Sequence, residues 1–115
     1  MKTKELVKIA YDALEDKKAR CIRIIDISEI SSMGDYFIIA DGSNKNQVQA
    51  LCDNVEEFMD KAGATLKNRE GYANGGWILL DYYDIIIHIF VEEERSFYDL
   101  EHVWKDGRLL SIGDL

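Results

Sequence analysis

Residues 77–91, WILLDYYDIIIHIFV, constrain the fold more than any other stretch of the chain. Two runs rich in isoleucine, leucine and aromatics flank a short polar break. The pattern predicts two antiparallel strands joined by a tight turn at Tyr82-Tyr83. In that register Asp81 faces Asp84, Leu79 faces Ile86 and Trp77 faces His88. Successive side chains point to opposite faces of a sheet. One face then carries Ile78, Leu80, Ile85, Ile87, Ile89 and Val91. It is purely aliphatic and must be core. The other face carries Trp77, Leu79, Asp81, Asp84, Ile86, His88 and Phe90. It is too apolar for an ordinary wet face and too charged for an ordinary core. Such a face suits either a partner-binding surface or a surface partly covered by another element.

The rest of the chain is organised around this hairpin as one domain, residues 1–115, long enough to bury a real core. Residues 3–18 place Leu6, Ile9, Ala10, Ala13 and Leu14 on one helical face, with Thr3 at the N-cap position. Residues 20–27, RCIRIIDI, read as a strand. Residues 35–41, DYFIIAD, read as a second strand. Its nearly continuous apolar run predicts burial on both faces or a central position. A helix follows over about 44–62, with Ser43 or Asn44 as its cap and Gly63 at its C-terminal end. Residues 64–72 are a weaker strand, and Phe97, Leu100, Val103 and Trp104 predict a last helix around 94–104. The tail, KDGRLLSIGDL, reads as a loose arm or as a segment packed on a neighbour.

Charge narrows the range of partners. The net charge is −8. Residues 21–115 hold eighteen Asp and Glu against eight Lys and Arg. That balance repels phosphate backbones, so no direct nucleic-acid specificity is expected. It favours a basic protein partner, or it serves only to keep a small domain in solution. No apolar run is long enough to span a bilayer, and the N-terminus lacks a signal-type apolar segment. The expected location is cytoplasmic. Cys21 and Cys52 fall in a predicted strand and a predicted helix, and both read as small buried hydrophobes with free thiols. No framework spacing supports a disulfide between them.

Catalytic patterns are sparse. Gly42-Ser43 at the start of a helix followed by strand carboxylates is the context of nucleotidyltransferases, whose paired acids hold magnesium. Asp81 and Asp84 are separated by two tyrosines and lie far from Ser43, so they read better as turn residues. His88 and His102 have no metal-ligand spacing with either cysteine. No nucleophile elbow, P-loop or zinc pattern occurs, and no cofactor or metal is implied. These features favour an interaction protein over an enzyme. A tryptophan on a mixed face is a common interface anchor. The plainer alternative is that Trp77 covers the sheet beneath a loop or the last helix.

Two longer stretches carry a resemblance: IDISEISSMGDYFIIADGSNKNQVQAL, and the hairpin continued as EEERSFYDLEHVW. Asp35-Tyr36-Phe37, Gly42-Ser43 with Gln47-Val48, Trp77 with Asp81, His88, and Phe97-Tyr98 with Leu100-Glu101 and Trp104 occur in characteristic order and spacing. The chain resembles the Iojap-related ribosomal silencing factor family over nearly its whole length. The resemblance implies a nucleotidyltransferase-like α+β fold, a mixed sheet backed by helices, without the catalytic carboxylate set. It implies a repressor of translation rather than an enzyme. Such a protein binds the large ribosomal subunit through its ribosomal protein fourteen and blocks subunit joining when nutrients are scarce. The residues expected to bind this partner are Trp77, Leu79, Asp81, Ile86, His88 and Phe90. An atypical nucleotidyltransferase-like enzyme or nucleotide-binding protein is the alternative reading, and a homodimer through the same hairpin face is a further possibility. The chain departs from the family at Tyr83, where glycine is usual. The tyrosine implies a different turn type or a wider loop.

Overall fold

The computed structural model describes residues 3–29, 34–93, 108–111, 113 and 115. Helix α1 spans Thr3–Asp16, and strands β1 and β2 follow at Arg20–Asp26 and Tyr36–Gly42. Helix α2 spans Lys45–Lys61. Strands β3, β4, β5 and β6 span Asn68–Glu70, Trp77–Asp81, Ile85–Val91 and Arg108–Leu110. The strands form one sheet in the order β3-β4-β5-β2-β1-β6. β2 and β5 pair in parallel, and every other neighbouring pair is antiparallel. The fold is therefore α+β with a mixed sheet.

Both helices pack on one face of that sheet. Val7, Ala10, Ala13 and Leu14 of α1 and Val48, Leu51, Cys52, Val55 and Met59 of α2 share one cluster with Ile78, Leu80, Ile85, Ile87 and Ile89. The aliphatic face expected of the hairpin is thus core. Burying each such side chain contributes about 1.5–3 kcal/mol. The exposed Lys61–Glu57 pair on α2 contributes only about 0–1 kcal/mol, so packing dominates. β2 lies between β5 and β1, and all of its residues are buried. Its unbroken apolar run reflects that central position.

Polar side chains fix how the helices join. Asn44 caps α2 by accepting from the Gln47 backbone N–H at 2.9 Å. Gln47 Oε1 accepts from the Ser43 N–H at 2.6 Å, and its Nε2 donates to the Lys17 carbonyl at 3.2 Å. Buried Asn54 donates to the Ala13 carbonyl at 2.7 Å and to Asp16 Oδ2 at 3.1 Å. These bonds tie the end of α1 to α2. Gly63 follows α2 with φ +85°, the left-handed conformation that closes many helices.

Three expectations need correction. The hairpin pairs Asp81 with Ile86, Leu79 with His88 and Trp77 with Phe90. The turn is therefore at Tyr83-Asp84, one residue later than expected, and Asp84 lies in the turn rather than on the mixed face. Asp81 Oδ1 accepts from the Tyr83 N–H at 2.8 Å, and the Asp84 N–H reaches the Tyr82 carbonyl at 3.0 Å. Tyr83 takes φ +73° at the centre of this turn, a conformation that glycine adopts more readily. A shift of the turn by one residue moves the register by two, so each remaining side chain keeps its face. Second, Cys21 is exposed, not buried, because β1 is irregular between Arg20 and Arg23 and Cys21 takes φ +50°. No disulfide joins it to buried Cys52. Third, part of the tail is a strand: β6 pairs antiparallel with β1 over Ile24–Asp26. The helix expected around 94–104 lies outside the described residues.

One glycine controls the entry to β4. Gly71 has φ +80°, and a Cβ there would strike the Trp77 carbonyl oxygen. Gly71→Ala is expected to cost about 1–2 kcal/mol. A urea unfolding curve with an unchanged midpoint would refute this account of the β3–β4 connection.

Candidate interaction surface

The face of the sheet away from α1 and α2 carries a second apolar cluster. Ile25, Ile27, Phe37, Ile39, Ile86 and Phe90 are its buried members, with Trp77 and Leu79 packed against it. Four strands, β1, β2, β4 and β5, bring these residues together. Phe37 pairs with Ile86 and Ile39 with His88 across the parallel β2–β5 ladder. Trp77, Leu79 and Asp81 stand at alternate positions of β4 and are half-buried. Ile86, His88 and Phe90 are buried beneath and beside them. The six expected site residues therefore share one face, but they divide into an accessible row and a buried support.

The indole of Trp77 is held from two sides. It stacks on Phe90, its cross-strand partner, with ring centroids 5.1 Å apart and planes inclined by 22°. Its Nε1–H donates to His88 Nδ1 at 3.1 Å. Indole nitrogen is only a donor, so Nδ1 must be the unprotonated nitrogen of a neutral imidazole. The proton then sits on Nε2, which is buried and makes no hydrogen bond among the described residues. Burial lowers the His88 pKa to about 4, which keeps the ring neutral at pH 7. Phe37 completes the group, its ring 4.8 Å from that of His88. Phe37 lies in the strand read over residues 35–41 and was not among the expected binding residues. Its place here follows from the β2–β5 pairing, which no local pattern announces.

Asp81 is a turn residue as well as a member of this row. One carboxylate oxygen holds the Tyr83 N–H, and its carbonyl accepts from the Lys67 N–H at 2.8 Å. Lys67 Nζ lies 5.5 Å from the centre of the exposed Tyr83 ring. The surface thus passes from aromatic at Trp77 through aliphatic at Leu79 to charged at Asp81. It offers apolar contact and charge pairing and presents no nucleophile beside a base.

Cys52, Asp53 and Glu56 of α2 are the one grouping among the described residues that has metal-ligand spacing. Their atoms are already engaged. The Cys52 thiol points at Glu56 Oε2 at 3.6 Å, Glu56 pairs with Arg69 at 3.0 Å, and Asp53 accepts from the Tyr72 hydroxyl at 3.1 Å. Burial, followed by the Glu56 charge, pushes the Cys52 thiol up to about 12, so it stays protonated. No helix among the described residues is long and apolar enough to cross a membrane.

The family model described as "Ribosomal silencing factor during starvation" matches residues 1–115. "Ribosomal silencing factor RsfS" of Bacillus subtilis strain 168 is 38% identical over 112 residues, covering 97% of this chain and 95% of that protein. A crystal structure of a Chromobacterium violaceum protein superposes with a TM-score of 0.90 at 34% identity, covering 91% of this chain and 88% of that one. A Bacillus halodurans crystal structure gives 0.85 at 32% identity, covering 95% and 99%.

Proposed function

The chain belongs to the ribosomal silencing factor family, and from that membership we propose that it represses translation by occupying the large ribosomal subunit. The partner is ribosomal protein fourteen, on the surface that meets the small subunit, and the bound factor blocks subunit joining when nutrients are limiting. The observation that carries this reading is the accessible row on β4, with Trp77 clamped between His88 and Phe90. In this proposal Trp77 enters an apolar recess of the partner, Leu79 extends the contact, and Asp81 pairs with a partner lysine or arginine at the rim. Ile86, His88 and Phe90 back these three from beneath. The net charge of −8 speeds encounter with a basic protein. The action is steric, without catalysis, and takes place in the cytoplasm.

The direct test mixes the protein with purified large subunits and then adds small subunits. Co-sedimentation with the large subunit and loss of joined particles are expected. Normal joining at saturating protein would sink the proposal. The nucleotidyltransferase-like kinship implied by the sequence resemblance is a separate proposal. Calorimetric titration with nucleotide and magnesium tests it, and saturable binding lost in Asp81→Asn would favour a nucleotide site. Dimerisation of the free protein through the β4 row competes with ribosome binding in this scheme, and mass measurement of the free protein decides it.

A further inference from the structure

The turn between β4 and β5 holds a side chain that the fold itself does not use. Tyr83 is 54% exposed, the one large hydrophobic residue left exposed among the described residues. Its backbone takes φ +73°. The Asp84 N–H bonds to the Tyr82 carbonyl at 3.0 Å, so Tyr83 is the centre of a three-residue turn of the rare, strained hand. Glycine would take that conformation without the Cβ penalty.

The turn is pinned from several sides. The Tyr82 N–H donates to the Ile85 carbonyl at 2.9 Å, and the Asp84 carbonyl accepts from the Asp35 and Tyr36 N–H groups at 2.8 and 3.1 Å. Asp81 Oδ1 accepts from the Tyr83 N–H at 2.8 Å. Strain of this kind persists only where the surroundings over-determine it, and it concentrates at functional sites. Packing does not offset it here. The one cation–π contact of the ring is with Lys67, an exposed residue whose Nζ lies 5.5 Å from the ring centre.

Two observations indicate what the ring is placed to meet. The Asp81–Tyr83 bond sets the turn at the charged end of the β4 row, so the turn continues that row past Asp81. The Asp81 carboxylate makes no ion pair among the described residues. The approach of Lys67 shows that the ring lies where a cation is attracted. An aromatic face beside a carboxylate suits a guanidinium, whose planar fork can stack on the one and pair with the other. We propose that the Tyr83 turn belongs to the partner-binding surface and receives an arginine side chain of the basic partner protein, stacked on the ring and paired with Asp81. The inference rests on the reading of the β4 row as the docking surface and adds a contact at its far end. Lys67 yields the ring to the incoming guanidinium. The turn thus sacrifices folding stability to hold an aromatic ring at the rim.

The test measures two properties of Tyr83→Gly, its melting temperature and its co-sedimentation with purified large ribosomal subunits across a range of protein concentrations. The variant is expected to melt about 2–4 °C higher than the parent, because the strain is removed. It is expected to bind about tenfold more weakly, because the ring is lost. Tyr83→Phe keeps the ring and should bind within about twofold of the parent. Tyr83→Leu keeps apolar bulk without an aromatic face and should bind about as weakly as the glycine variant. If the parent binds and Tyr83→Gly matches its affinity, this inference is overturned while the β4 row stands. Parent-like binding by Tyr83→Leu, or a lower melting temperature for Tyr83→Gly, would overturn it as well. A parent protein that does not pellet with large subunits would overturn the reading of the β4 row, and this inference with it.

Discussion

Trp77→Ala is expected to weaken large-subunit binding by about 2–4 kcal/mol, roughly 30- to 900-fold, while the domain stays folded. The two effects separate because Trp77 sits at the margin of its cluster. It is half-buried, whereas its stacking partner Phe90 is 0% exposed. β4 is held from the other face by fully buried Ile78 and Leu80, which the substitution leaves in place. The variant loses the aromatic body, and His88 Nδ1 loses its donor. Circular dichroism should show an unchanged spectrum, and co-sedimentation should show the loss of binding. A folded variant that pellets with large subunits as well as the parent would remove Trp77 as the anchor.

The second large effect is on acid stability. His88 is 4% exposed, and burial lowers its pKa from 6.5 to about 4. Between those values the unfolded chain carries a proton at this site that the native ring refuses. Stability therefore rises with pH across the window. The contribution is fully present above pH 6.5 and is lost as pH falls towards 4, amounting to about 3 kcal/mol. The ring also has nothing to stabilise an added charge. Nδ1 faces the indole N–H, and among the described residues no acceptor meets Nε2. His88→Gln removes the titration. Its stability between pH 5 and 7 should vary much less than that of the parent in matched urea titrations. Parallel pH profiles for the two proteins would show that His88 is not the acid-sensitive group.

Alternation made the helix-facing core legible. Ile78, Leu80, Ile85, Ile87 and Ile89 allow only one buried face, and the assignment survives a register error of two residues. The turn itself was not legible. Its position depends on the Asp81 side chain capping Tyr83, and on Tyr83 adopting a backbone conformation that glycine ordinarily signals. β6 was hidden because three residues are too few to show periodicity. The mixed face was read half correctly. Its members were named, but Phe37 and Ile39 enter it through a strand pairing between distant segments. No local signal encodes that neighbour, and the same pairing helps bury Ile86, His88 and Phe90.

That β2–β5 ladder has a consequence for how the chain comes into being. Tyr36–Gly42 pairs with Ile85–Val91, segments separated by α2, β3 and β4. The centre of the sheet cannot close until residue 91 of 115 has been made. Until then the continuous apolar strand β2 has only β1 beside it, and its other edge is open. Non-local parallel pairing is slow to form and leaves nascent chains prone to association. Local α1–α2 docking through Asn54 and Gln47 is available earlier. The helices can thus shield one side of β2 while the ribosome is still synthesising its partner strand.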